Sequence, residues 1–482
     1  MIWLSGDAMA QQQAGMHAAG YLLLLACVMG AVLLGVWLMC VRLARQLGGR
    51  SLWVQIRQYN RLSWLLRVTI PLCFAGAVFF CSWPAVVQSL LRPVLGGFRL
   101  ESASLLIGTL PAWIAWVAMW IALYPARRAA RELSQLDRLE ADMPLSLHPT
   151  LWQHLVSNTR MQILTMLATI LCIASANDVL TLLARALGLG QSQTAELVVG
   201  IVSLLGVMLL SPILLVRVLS TQRLPDSPLR DRLEQLCRDH QLRPREILLW
   251  KTHGDVANAA MIGVLPHLRY VLVSDLILES MPQQQILGVF AHETGHVVHR
   301  HVWWFAACSL TFALAASGPG ETLWKWVGPW VNLSEPYASM LLLGATMPLF
   351  FAGLGFVSRR FERQADVFAA RTMPAYLNEP VLAGVAAGPV AAEAKADFRF
   401  VQSSGAQVVC GALERIATIN GIPIDAHEWL HGSIGWRMRY LAEIADIPSR
   451  SRAFDTSMQR LFRGIVALAV LFALWTLYGV VH

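Results

Sequence analysis

Apolar residues in this chain gather in runs too long for the core of a soluble domain and too uniform for an amphipathic surface helix. Crossing a bilayer takes about 17–25 mostly apolar residues in a helix. Eight stretches meet that requirement, near 19–41, 66–91, 103–124, 162–184, 197–219, 302–318, 338–357 and 464–481. Between the fifth and sixth the pattern changes. Runs at 247–250 and 270–273 are short and β-rich, and 256–263 between them reads as a third extended segment. Ser280 and Gln283 flank Pro282 in a capping-box spacing, which opens a helix running through His292 and His296. After the seventh run, 358–463 reads as helical with a loop around 421–435.

The expected fold is therefore mainly α, a polytopic helical membrane protein of about eight spans with a cytoplasmic unit containing a small β-sheet. Its parts are a membrane domain over 1–219 with five spans, a first soluble part over 220–301, and a membrane hairpin over 302–357. A second soluble part over 358–463 and a last span over 464–482 complete it.

Charge supplies orientation. A net charge of +8 on 482 residues could suggest nucleic acid, but the arginines are grouped by loop. Arg42, Arg45, Arg50, Arg57, Arg61 and Arg67 crowd the first link, and Arg127, Arg128, Arg131, Arg138 and Arg160 crowd the third. By the positive-inside rule both termini lie outside, and 220–301 and 358–463 face the cytoplasm. A lipid bilayer is the implied partner and nucleic acid is not; the expected location is a cell membrane, first of all a bacterial inner membrane. Trp324, Trp326 and Trp330 fit an interfacial belt on the outer side. The polar stretch 6–13 precedes an apolar run too long for a cleavable signal. None of the eight cysteines forms a CxxC pair, so they suggest neither a disulfide framework nor a cysteine metal site. Asn177 and Asp178 close the fourth run, where a carboxylate is expected to cap a helix near the outer interface. The segment 125–161 is expected to be a loop at the membrane surface.

The chemistry is concentrated in His292-Glu293-Thr294-Gly295-His296. Histidines four apart project from one helical face, so both imidazoles can reach one zinc ion. Glu293 faces the same cavity, where it can take a proton from a water activated by that ion. A catalytic zinc needs a third protein ligand. His299 lies seven residues from His292, about 10 Å along a rigid helix, too far for three-way chelation. His299 and His301 are instead expected to be polar groups at the membrane interface. Glu362 is the better candidate, with Asp366 one turn beyond it on the same face and able to orient a ligating histidine. Both His296 and Glu362 fall within about 10 Å of the bilayer boundary and on the same side of it. Without the upstream histidines, the acidic pair would read as a solvated helix end.

The stretches 292–296 and 358–366 resemble the HExxH and SRxxExxAD motifs of the integral-membrane gluzincin peptidases, which include the heat-shock protease HtpX and the type I CaaX prenyl protease. The resemblance spans about 245–445. It implies a gluzincin-like zinc protease domain with one Zn2+ per chain held by His292, His296 and Glu362, with Glu293 as base and Asp366 behind the ligands. It further implies that Asn258 and Ala259 lie on a substrate-binding edge strand, and that His431 and Arg437 hold the substrate or the oxyanion. Gly432 follows His431 where the prenyl protease usually has proline, and an eighth span exceeds the usual seven, so prenylated-peptide specificity is not carried over.

The expected function is zinc-dependent endoproteolysis of membrane-associated or misfolded polypeptides at the cytoplasmic face. Two alternatives stand beside it. A catalytically silent zinc-binding scaffold or regulator would not need Glu293. A site-2-type intramembrane protease would place the motif inside a span and add a distal aspartate element, neither of which the sequence contains.

Overall fold

The computed structural model describes residues 20, 23, 26–27, 29–42, 52–80, 83–95, 100–140, 150–188, 193–254, 256–331, 335–377 and 400–481. Two compact units divide the chain: residues 1–222 with 250–256, and residues 223–249 with 257–482.

Long helices make the first unit: Leu52–Phe80, Trp83–Leu95, Glu101–Glu140, Leu151–Asn158 running on through Thr159–Leu164 into Thr165–Ala186, and Gln193–Val218. Leu66, Ile70, Met119, Trp120 and Leu123 form its buried seam, while Leu72, Ile114, Leu183 and Leu210 point outward. Apolar side chains on the outside suit a hydrocarbon solvent, in which a helix satisfies its own backbone. The stretch 66–91, expected as one crossing, is instead shared between two helices. Pro84 stands in the first turn of the second, where its missing N–H leaves no hydrogen bond unmade. Within 125–161, where a loop was expected, the described residues 125–140 and 151–161 are helical. The Glu101 helix continues to Glu140, and Thr150 with Gln153 forms a capping box for the next.

Asp178 is buried and caps a helix, in accord with the sequence. Its carboxylate accepts the Glu101 and Ser102 N–H groups at 2.9 and 3.0 Å and the Ser102 hydroxyl at 2.6 Å. Those N–H groups have no partner inside their own helix, so the carboxylate replaces water at that end.

Among the described residues, five helices are long and apolar enough to cross a membrane: Glu101–Ala129, Leu151–Ala186, Val198–Val218, His301–Gly320 and Pro448–Tyr478. Met29–Arg42 is a shorter apolar helix, and part of the expected first span lies outside the described residues. The expected seventh span lies within Glu335–Thr372. Trp326 and Trp330 are exposed on the Glu321–Val331 helix.

The second unit carries the chemistry. Ser227 caps the Pro228–Asp239 helix, whose first residue is a proline. The strands Glu246–Trp250, Tyr270–Ser274 and Ala259–Ile262 follow one another across the sheet in that order, the last at its edge. Ala259 pairs antiparallel with Val273 and Ile262 with Tyr270. The helix bearing the two histidines is Gln283–Val298, but the capping box expected at its start does not form. Ser280 is buried as the last residue of a separate short helix, Asp275–Ser280, which Ser274 caps. The longer helix therefore begins from extended Pro282 with no side-chain cap.

Gln283–Val298 packs along Glu335–Thr372, and Ser403–Asn420 lies against both. Phe361, Ala365 and Ala369 recur every four residues on the buried stripe of the second of these helices and are fully covered. At Gly295 a Cβ would stand 3.0 Å from the Ala365 Cα and 3.1 Å from the Phe368 ring. Glycine at this position lets the two backbones close to the separation that the site requires.

Candidate metal centre

Three donor atoms converge between these helices. His292 Nε2 and His296 Nε2 lie 3.1 Å apart, and the Glu362 carboxylate oxygens lie 3.5 Å from the first and 3.6 Å from the second. A tetrahedral ion with ligands at about 2.0–2.1 Å separates its donors by about 3.3–3.4 Å. The spacings, Glu362 Oε2 to His292 and Oε1 to His296, are close to that separation, and two imidazoles with a carboxylate are a donor set suited to zinc. Among the described residues, no other group of histidine, cysteine and carboxylate side chains could hold an ion in this way.

Behind the donors lies a layer of fixed charge. Asp366 is fully buried, with Oδ1 at 2.9 Å from His292 Nδ1. Arg437 clasps the same carboxylate with two donors, at 2.7 and 2.6 Å, and reaches Glu362 at 3.1 Å. Its guanidinium thus serves the two acids. Burial alone would raise the Glu362 carboxyl, but hydrogen bonds from His292 and His431 and the Arg437 charge hold it well below the usual range. Asp366 is likewise held low, burial being outweighed by Arg437 and His292. Burial would lower His292 too, yet hydrogen bonds to Asp366 and Glu362 lift it to about 10. His296 lacks such a carboxylate on its far side, and burial with the nearby His292 charge takes it down to about 3. The cavity thus favours one positive charge among the donors.

Glu293 sits beside the donors and beneath the edge strand. Burial pushes its carboxyl up to about 7, with His292 and the Met261 backbone N–H opposing the rise. That N–H points away from the sheet for a reason of register. Ser274 N–H donates to the Asn258 carbonyl, which makes 258 and 274 a hydrogen-bonded pair. Bonded pairs alternate along an antiparallel ladder, so the N–H and C=O groups of Ala259 and Met261 face the open edge. Ala259 buries its methyl in the core and Asn258 is exposed.

His431 comes from the loop after Ser403–Asn420, with Nδ1 at 2.9 Å from Glu362 Oε1 and about half of its side chain exposed. That hydrogen bond raises its pKa. Gly432 turns the loop at φ +73°, a conformation closed to proline and strained for other residues. The turn accounts for glycine at this position. Upstream, Trp429 meets the Phe351 ring edge-on at 5.6 Å, and its carbonyl accepts from Arg359 at 2.9 Å. Ile424, Trp429 and Leu430 are exposed, as are Phe351 and Phe356 on the neighbouring helix.

His299 and His301 are not the interfacial pair that the sequence suggested. His301 is buried, 2.8 Å from His296, and Gln364 lies beside both residues. The cause is a break in the helix at Arg300, which adopts φ +57° between the end of one helix and the start of the next. Sequence reasoning misplaced His301 and overlooked Gln364. The available signals were a polar residue two past Glu362 and a histidine five past His296, too far round a continuous helix to suggest contact.

Residues 224–421 match the model of peptidase family M48. The chain is similar to a CAAX prenyl protease 1 homolog of Arabidopsis thaliana, 29% identical over 165 residues, covering 31% of this chain and 37% of that protein. It is also similar to a CAAX prenyl protease 1 homolog of Oryza sativa subsp. japonica, 30% identical over 30% of this chain and 37% of that protein. A Protease HtpX homolog of Aeropyrum pernix is 34% identical over 20% of this chain and 29% of its own length. The chain thus spans about a third of the length of the curated relatives it matches. Among solved structures, the crystal structure of S. mikatae Ste24p aligns over 86% of this chain and 98% of that chain, with 13% identity and a TM-score of 0.49.

Proposed function

Taking residues 224–421 as a peptidase family M48 domain, we propose that this chain is a membrane-embedded zinc metalloendopeptidase. Its substrates are membrane-associated or misfolded polypeptides, cleaved at the cytoplasmic face of the membrane. The observation that carries this reading is the donor triangle of His292, His296 and Glu362 with Glu293 beside it under an open strand edge. Zinc in that triangle would supply an activated water and a polarised scissile carbonyl at neutral pH. The chain's own groups do the rest. Ala259 offers an outward N–H and C=O and Met261 an outward C=O against which an extended substrate can pair, with Asn258 at the start of that edge. Glu293, with a carboxyl pushed up to about 7, takes a proton from the attacking water and returns it to the leaving amine. His431, half-exposed and inclined to hold its proton, is placed to donate to the oxyanion. Asp366 and Arg437 hold the donors in place.

Two observations support substrates that lie at the membrane. The His431 loop presents Trp429 and Leu430 next to exposed Phe351 and Phe356, an apolar rim of the kind that sits at a bilayer surface. The grouping of arginines supports a cytoplasmic site. The test is Glu293→Gln in detergent-purified protein offered unfolded casein. The variant should retain stoichiometric zinc and lose chelator-sensitive cleavage, and should trap membrane-associated chains when expressed in cells. Wild-type cleavage by this variant refutes the assigned base, and recovery of soluble cytosolic chains alone refutes the substrate class.

A further inference from the structure

The two ligating histidines are backed by unlike groups. Asp366 stands behind His292, whereas a chain of neutral groups stands behind His296. The Gln283–Val298 helix ends at His299, and the left-handed turn at Arg300 brings His301 back under His296. Their rings meet nearly at right angles, with Nδ1 to Nδ1 at 2.8 Å. His301 is 1% exposed and lies flat on the Phe361 ring at 4.3 Å. Its Nε2 is 3.0 Å from Gln364 Oε1, and Gln364 Nε2 is 3.3 Å from His299 Nδ1.

Proton bookkeeping gives this row a direction. His296 turns Nε2 toward His292 and Glu362, so Nε2 is its ligand atom. A neutral imidazole bound through Nε2 carries its hydrogen on Nδ1. That N–H must donate to His301 Nδ1. His301 then carries its own hydrogen on Nε2 and donates to Gln364 Oε1. The Gln364 amide group donates in turn to His299 Nδ1. With this assignment every close pair joins a donor to an acceptor.

We propose that His301 and Gln364 are positioning residues of the metal centre, a buried relay that fixes the tautomer and ring orientation of His296. The proposal rests on the reading that His292, His296 and Glu362 hold the ion. Cutting an acceptor behind a ligating histidine typically weakens metal binding about 10–100-fold. His301→Phe keeps a flat ring on Phe361 but leaves the His296 N–H buried without an acceptor. Zinc affinity of the full chain in detergent, measured by competition with a chelating dye, should fall by that factor. The visible spectrum of the Co2+-loaded protein should change, a readout that a merely structural role would leave unmoved. Gln364→Leu should weaken zinc binding as well. Adding it to His301→Phe should cost little more, because both act through one path. Wild-type zinc affinity and Co2+ spectrum in His301→Phe overturn the proposal. If that variant does not fold, wild-type affinity in Gln364→Leu overturns it alone. A wild-type chain that binds no stoichiometric zinc removes the metal reading itself, and this proposal with it.

Discussion

Replacing Gly295 by alanine tests whether helix separation sets the geometry of the donors. The new methyl would stand 3.0 Å from the Ala365 Cα, 3.1 Å from Phe368 Cδ1 and 3.2 Å from Phe368 Cβ. Carbon atoms in good contact sit about 3.5–4.0 Å apart, so the helices must separate by roughly 0.5–1 Å. The nearest atom belongs to backbone and cannot rotate aside. Two effects oppose each other. Alanine favours the helical state by up to about 1 kcal/mol over glycine, whereas overpacking a tight core contact costs about 1–3 kcal/mol. With the full helical gain subtracted, net destabilisation of about 0–2 kcal/mol is expected. The larger consequence is for the metal, because Glu362 already stands 3.5 and 3.6 Å from the two histidine donors. Moving it outward by that amount opens the triangle beyond a zinc tetrahedron, so zinc affinity should fall at least about tenfold. Dye competition measures the affinity, and thermal unfolding of metal-free protein in detergent measures the stability. Wild-type values for both would show that the helix contact at Gly295 does not govern the site.

Two further perturbations follow from the same geometry. In the metal-free protein His292 holds its proton up to about pH 10 and His296 has lost its own above about pH 3. Zinc uptake at pH 7 should therefore release about one proton, and affinity should rise about tenfold per pH unit until it levels near pH 10. Calorimetry in buffers of differing ionisation enthalpy counts that proton; zero release, or affinity flat from pH 6.5 to 9, contradicts the charge arrangement. Gly432→Ala strains a φ of +73° by about 1–2 kcal/mol and brings a methyl to 3.3 Å from the Trp436 ring. It should displace His431 from Glu362 and reduce cleavage while zinc stays bound, and unchanged cleavage would argue against a role for the His431 loop.

What the sequence made legible was whatever depends on short-range spacing. His292 and His296 are one helical turn apart, and so are Glu362 and Asp366, so each pair shares a face wherever its helix is placed. Strand runs at 247–250 and 270–273 were readable for the same reason. Features set by tertiary contact were not. The sequence pointed to Arg437 only as a residue near the substrate, and its pairing with Asp366, 71 residues away, arises from helix packing. His301 was hidden by left-handed Arg300, because a non-glycine residue at positive φ leaves little mark in the sequence. The expected capping box at Ser280 failed because a short helix capped by Ser274 uses Ser280 as its last residue. The run 66–91 looked continuous because apolar residues fill both the end of one helix and the start of the next.

The most direct measurement is zinc K-edge absorption on purified full-length protein, with the Glu362→Gln variant beside it. One zinc per chain is expected, with a shell of two imidazole nitrogens and oxygen donors at about 2.0–2.1 Å, and with a weakened or altered oxygen shell in the variant. Sulfur in the shell, a single imidazole, or a spectrum indifferent to Glu362 would contradict a metal centre built from His292, His296 and Glu362.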